Sequence, residues 1–205
     1  MKWSKVFILL FPAYSRRNPR DPLLAVAQGL KERYDIPSLR RFTTHAIPGY
    51  CCLPPPHSHY LQSETKPFAE CDLNSKLIVI AHGRDHGDAI HHDTFGKIDG
   101  ASFARMLIDY GLTQIGLISM KACEVGKGVF LPTLVKTLVE EGVKIGWAIG
   151  YKSPVRFMEE EKAIATGCFD LLTRQCFKLP DNFRVRILQG NAFVIIPDSE
   201  RFRYR

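Results

Sequence analysis

Residues 77–88, LIVIAHGRDHGD, decide how this chain is read. Leu77 to Ala81 form an unbroken apolar run that ends at once in His82-Gly83 and a burst of charge, Arg84, Asp85 and His86. A short run of this kind, with no alternation, marks a strand buried on both faces, as in a parallel sheet. In an open α/β sheet, ligands meet the carboxyl ends of the strands. A strand that delivers an imidazole to that edge is therefore a candidate site element.

The rest of the chain supplies the matching parts. Buried strands are expected at 5–11 (KVFILLF), within 38–47, at 115–120 (IGLISM) and at 143–151 (VKIGWAIGY). Helices are expected at 21–34, 99–112, 128–142 and 158–177. In the first of these, Asp21 serves as N-cap and Pro22 as N1. In the second, Phe103, Met106, Leu107 and Tyr110 share a face. In the third, Pro132 fits only the first turn. In the last, Glu159, Glu160 and Glu161 suit the positive end of the helix dipole. FRVRIL and AFVIIP flank Gln189-Gly190-Asn191, which reads as a C-terminal β-hairpin. Residues 48–76, with PGYCCLPPPHSHY at their heart, read as a long irregular Pro-rich loop. The expected fold class is α/β, with a mostly parallel central sheet and helices on both faces, in a single domain over 1–205. The opening MKWSKVFILLFPAYS imitates a signal peptide, but its apolar run stops at Pro12 and no A-x-A site follows, so a first strand is expected instead. No apolar stretch reaches the roughly 20 residues that a membrane span needs.

Composition narrows the function classes. The 205 residues are 45% hydrophobic, enough for a sizeable core and against disorder. The formal net charge is +7. Such a balance suits an anionic partner without choosing among nucleic acid, phosphate ligand and membrane surface, and it also serves plain solubility. Cys51, Cys52, Cys71, Cys123, Cys168 and Cys176 form no CxxC and no regular framework. Reduced thiols and a cytosolic setting are expected.

Two predicted strands end in reactive residues. One ends at His82-Gly83; the other leads through Lys121-Ala122 to Cys123. If these strands are neighbours, an imidazole and a thiol face one cleft. A cysteine attacks as the thiolate, and a nearby imidazolium lowers its pKa. Gly83 permits a tight turn, so its N–H and that of Cys123 are candidates to cradle the oxyanion of an acyl intermediate. Asp21 or Asp85 could orient the imidazole, and a dyad without a third member is equally open.

"Apolar run, His-Gly" followed by "apolar run, Ala-Cys" resembles the signature of the caspase-like (clan CD) cysteine peptidases. HGRDH, residues 82–86, resembles most the cysteine protease domain of MARTX toxins and, less closely, that of the large clostridial toxins. IDGASFARML resembles the helix after their catalytic His, and IGLISMKAC the strand bearing their catalytic Cys. The likeness covers roughly 5–165, with its specific part at 77–125. It implies a caspase-like three-layer sandwich and a thiol endopeptidase, with Cys123 as nucleophile and His82 as general base or ion-pair partner. The departures are Ala81 and Ala122, where those toxin domains have Gly, and the loop 48–76; they bear on substrate choice.

The toxin domains are activated by inositol hexakisphosphate, which implies a basic pocket here. The candidates are Arg84, Lys152, Arg156, Lys162, Arg184 and Arg186, with Arg184 and Arg186 alternating onto one strand face. The resemblance further implies a protein or peptide substrate, weakly a cut after Leu, and a bacterial effector acting in a host cytosol or a cytoplasmic enzyme. With Met1 at the start and no evident cargo, action on other proteins is expected. The alternative is a catalytically inactive polyphosphate-binding module on the same fold. No metal is expected: His82, His86, His91, His92 and Asp93, or His57 and His59 near Cys51 and Cys52, match no standard zinc spacing. No G-x-S-x-G supports a serine hydrolase, and no nucleic-acid motif accompanies the charge.

Overall fold

A computed structural model describes residues 2–12, 22–44, 59–60, 63–92, 96–153, 156–158, 163–165, 167–170, 175–178 and 185–197. In chain order these hold β1 (Lys5–Leu10), α1 (Pro22–Tyr34), β2 (Arg41–Thr43), β3 (His59–Tyr60), β4 (Ser75–Ile80), β5 (Gly83–Arg84), β6 (Ala89–His92) and β7 (Gly96–Asp99). Then follow α2 (Gly100–Asp109), β8 (Gln114–Lys121), α3 (Phe130–Glu140) and β9 (Lys144–Tyr151). Last come β10 (Arg156–Met158), β11 (Ala163–Ala165), β12 (Gly167–Asp170), β13 (Gln175–Lys178) and β14 (Val185–Gln189).

The central sheet has seven strands in the order β14-β9-β8-β4-β1-β2-β3. All neighbours in it are parallel except β14, which runs antiparallel to β9. The apolar runs read as buried strands are buried: β4 is buried along its whole length and β8 except at its two ends. Side chains alternate between two covered faces, as strand geometry requires. Phe7, Leu9, Leu77 and Val79 pack with Phe103 and Leu107 of α2 and with Phe130, Leu134 and Leu138 of α3. Ile8, Leu10, Ile78 and Ile80 pack with Val26 and Ala27 of α1 and with Ile36. The architecture is thus α/β, with a mostly parallel sheet between helical layers.

Local chemistry sets the helix starts. Asp99 caps α2, its carboxylate accepting the Ser102 N–H at 2.7 Å. Pro132 falls in the first turn of α3, where its missing N–H leaves no intrahelical bond unmade. The β4 strand begins two residues earlier than the apolar run suggested. Its Lys76 is fully buried, donating to the Tyr34 hydroxyl of α1 at 2.8 Å with the ammonium 4.6 Å from the Tyr34 ring centroid.

Three expectations need correction. The helix at 158–177 is not formed: β10 pairs antiparallel with β11, and β12 with β13. The hairpin between FRVRIL and AFVIIP is also absent. Residues 185–189 instead pair with β9, and 190–196 fold across its start. There the Gly190 and Ala192 N–H groups donate to the Gly146 and Ile145 carbonyls, at 2.8 and 3.0 Å, and the Asn191 side chain bonds the Ile145 N–H and the Val143 carbonyl. Within the stretch read as an irregular loop, His59–Tyr60 adds a strand beside β2, and Phe68 is fully buried against the rings of Phe7 and Phe42.

Candidate functional site

The chain moves from β1 outward to β2 and β3, then returns to β4 on the other side of β1 and continues to β8 and β9. The reversal between β1 and β4 is a topological switch point, whose carboxyl-end crevice is the usual ligand position in such sheets. His82 leaves β4 at that edge. Cys123 leaves β8, the next strand over, where Ile80 and Lys121 are register partners and the Ala81 N–H reaches the Lys121 carbonyl at 3.3 Å.

The two loops touch directly. A Cβ added at Gly83 would fall on the Cys123 carbonyl and 3.1 Å from the Cys123 Cα. Only glycine lets the backbone after His82 lie against the backbone of Cys123. Both His82 and Cys123 are half-buried, and Cys123 forms no disulfide among the described residues. The His91 N–H donates to the His82 carbonyl at 2.8 Å, which anchors the residue before Gly83 to β6. Gly83 and Ile90 are therefore a non-hydrogen-bonded pair of this ladder, and the Gly83 N–H turns away from β6.

The loops are then tied along their length. Gly87, at φ 97°, packs on the Glu124 carbonyl and the Gly128 nitrogen, where a Cβ has no room. The Asp88 carboxylate accepts the Val129 N–H at 2.9 Å, from the loop of His82 to the start of α3. The strand tips beyond Cys123 join in. Glu124 N–H reaches the Ser153 carbonyl at 3.3 Å, Gly126 N–H the Tyr151 carbonyl at 2.8 Å, and the Arg186 guanidinium donates to the Gly128 carbonyl at 3.3 Å.

Backbone strain concentrates here. Asp85 (φ 51°), His86 (φ 55°) and Glu124 (φ 58°) are left-handed without being glycine. Such conformations persist where surrounding structure over-determines them, and they gather at functional sites. Glu124 directly follows the thiol.

Cys71 provides the contrast within the chain. Its thiol is pushed up to about 12, first by burial and then by the carboxylates of Glu70 and Asp72. A buried neutral thiol is inert, whereas Cys123 is open to solvent in part.

The other expected residues are placed as follows. Asp85 is exposed, and its carboxylate accepts from the Lys97 ammonium; that hydrogen bond holds it below the usual carboxylate range. Arg84 is exposed and donates to His91 Nδ1 at 3.1 Å; since a guanidinium only donates, Nδ1 is the accepting nitrogen. Lys152 follows β9 and is half-buried. Arg186 and Leu188 share a face of β14, and Leu188 packs with the α2–α3 cluster, so Arg186 lies on that side. Arg156 is on β10, where only the backbone is described; Asp21, Lys162 and Arg184 lie outside the described residues. Among the described residues no three His, Cys, Asp or Glu side chains converge as a metal site. No helix of the described residues is long and apolar enough to cross a membrane.

Sequence reasoning missed the roles of Asp88 and Gly87, which are contacts between loops rather than a motif. The Ser153 carbonyl takes the Glu124 N–H, and its Oγ is buried without a hydrogen-bond partner among the described residues. No protein-family model matches the chain, and no curated protein matches it significantly.

Proposed function

We propose that the protein is a cysteine endopeptidase of the caspase-like kind, working through a Cys123–His82 dyad. One observation carries this reading: the backbone of Gly83 lies on that of Cys123, so the residue after His82 and the thiol-bearing residue are in contact at the carboxyl edge of adjacent parallel strands. The sheet order and the helical layers agree with a caspase-like sandwich without being particular to it.

In this mechanism the Cys123 thiol gives its proton to His82, and the thiolate attacks the scissile carbonyl. A C–S bond forms as the carbonyl π electrons move to oxygen. The N–H groups of Gly83 and Cys123 hold that oxyanion. The tetrahedral intermediate collapses, the C–N bond breaks, and the His82 imidazolium gives its proton to the departing amine. Water, deprotonated by His82, then attacks the thioester; the carboxylic acid leaves and the thiol is restored. The left-handed turn at Glu124 presents the sulfur, and the clamp of Gly87 and Asp88 on residues 124–129 fixes both loops.

Activation by inositol hexakisphosphate belongs to the same proposal. Arg186 supports it, because its guanidinium already contacts the loop that follows Cys123. An anion that drew Arg186 from the Gly128 carbonyl would alter that loop. A protein substrate cut after an apolar residue such as Leu, and action inside a host cell by a bacterial effector, complete the reading.

The experiment is labelling of Cys123 by a peptide electrophile, with and without inositol hexakisphosphate, alongside cleavage of a peptide library by wild type and Cys123→Ala. Labelling and cleavage that both vanish in Cys123→Ala, with an unchanged circular dichroism spectrum, support the enzyme. Tight ligand binding with an inert thiol would replace it by a polyphosphate-binding module.

A further inference from the structure

Arg41 is buried, with only 7% of its surface exposed, and its Nε and Nη1 groups have no hydrogen-bond partner among the described residues. A guanidinium keeps its charge at any physiological pH, so it cannot relieve burial by losing a proton. An uncompensated buried charge costs several kcal/mol, and native structures answer it with an oppositely charged group.

The register fixes where this cation stands. Arg41 is the neighbour of Ile8 on β1, and Ile8 faces α1. Arg41 therefore lies on the α1 face of the sheet, as does Thr43 two residues on, which is also buried. Arg186 lies on the opposite face, at the opposite end of the strand order. No single pocket serves both residues.

We propose that Arg41 anchors an oxyanion-binding site on the α1 face, distinct from the His82–Cys123 edge, that takes a phosphate or carboxylate group. The open Nε–H and Nη1–H groups of the guanidinium are charged donors, and each can give a charge-assisted hydrogen bond to an oxygen of either anion. The site stands whether or not Cys123 is a nucleophile.

The test is thermal unfolding of the full 205-residue chain in sodium phosphate, sodium acetate and sodium chloride at one pH and one ionic strength. At about a hundredfold excess over Kd, the bound anion raises the Tm by roughly 5–10 °C above the chloride value. The phosphate and acetate arms tell which anion class is held. Arg41→Met abolishes the rise. Arg41→Lys keeps the charge, loses the planar set of donors and weakens binding by about tenfold. In the wild type, the Arg41 Nε–H resonance, assigned by its loss in Arg41→Lys, shifts as the anion is added. Equal Tm values in all three salts overturn the proposal. So does a rise that persists undiminished in Arg41→Met or, should that variant not fold, in Arg41→Lys.

Discussion

Asp88, on the loop that follows His82, holds the Val129 backbone N–H at 2.9 Å, at the threshold of the helix that follows Cys123. One carboxylate thus spans both loops of the candidate site. Removing it frees an N–H at the start of α3, a loss worth about 0.5–2 kcal/mol when a capping oxygen is deleted. Asp88→Ala is expected to lower stability by about that much in urea melts and to slow Cys123 alkylation. Asp88→Asn keeps the accepting oxygen and is expected to restore most of both. Equal behaviour of the two variants would remove the cross-loop role.

Gly83→Ala tests the contact that sets the two tips together. The new methyl has no space beside the Cys123 carbonyl, so one loop must move. Overpacking of this sort costs about 1–3 kcal/mol. The expected outcome is a folded protein of lower Tm whose Cys123 alkylates at a changed rate and whose peptide cleavage is lost. Unimpaired cleavage would show that the contact does not matter to the site.

Cys71 predicts an alkaline limit to stability. The thiol titrates near 9.0 when unfolded and near 12 when folded. Between those values the unfolded chain releases a proton that the folded chain retains. Stability is intact below pH 9 and falls above it, by roughly 1.4 kcal/mol per pH unit for this one group. Urea melts from pH 8 to 11 should show a steeper decline for wild type than for Cys71→Ala. Parallel slopes would contradict the assignment.

Asp99 should matter to α2 at neutral pH. Its carboxylate accepts the Ser102 N–H, the largest of the influences that hold it below the usual carboxylate range. The stabilisation is present above the unfolded pKa and is lost as pH falls through the lower folded value. Asp99→Ala is expected to cost about 1 kcal/mol at pH 7, and the gap between variant and wild type should narrow toward pH 2. Chemical denaturation at the two pH values measures it.

The sheet was legible because its strands carry their own label. KVFILLF, LIVIA, IGLISM and VKIGWAIGY are short, predominantly apolar runs, and each coincides with a strand of the central sheet to within a residue or two. The helices α1, α2 and α3 were legible from their apolar periodicity, with ends off by a few residues. The stretch 158–177 misled because its apolar spacing and its glutamates fit a helix, while Gly167 breaks the pattern in the middle. Strands of three or four residues depend on partners distant from any local signal. The turn at Gln189-Gly190-Asn191 misled for another reason. Its backbone and the Asn191 side chain serve the start of β9, and local turn chemistry does not tell which strand receives the returning chain. At the site, His82 and Cys123 were readable as strand tips. Asp88 was not, since its partner Val129 lies 41 residues away.

Lys76 gives the fold a built-in chemical reporter. Its amine is shut between the sheet and the Tyr34 hydroxyl. Acylating reagents should modify the surface lysines first and reach this one only when α1 lifts away. Mass spectrometry of Lys76 acetylation over time would then measure how often that helix detaches while the remainder of the molecule stays intact.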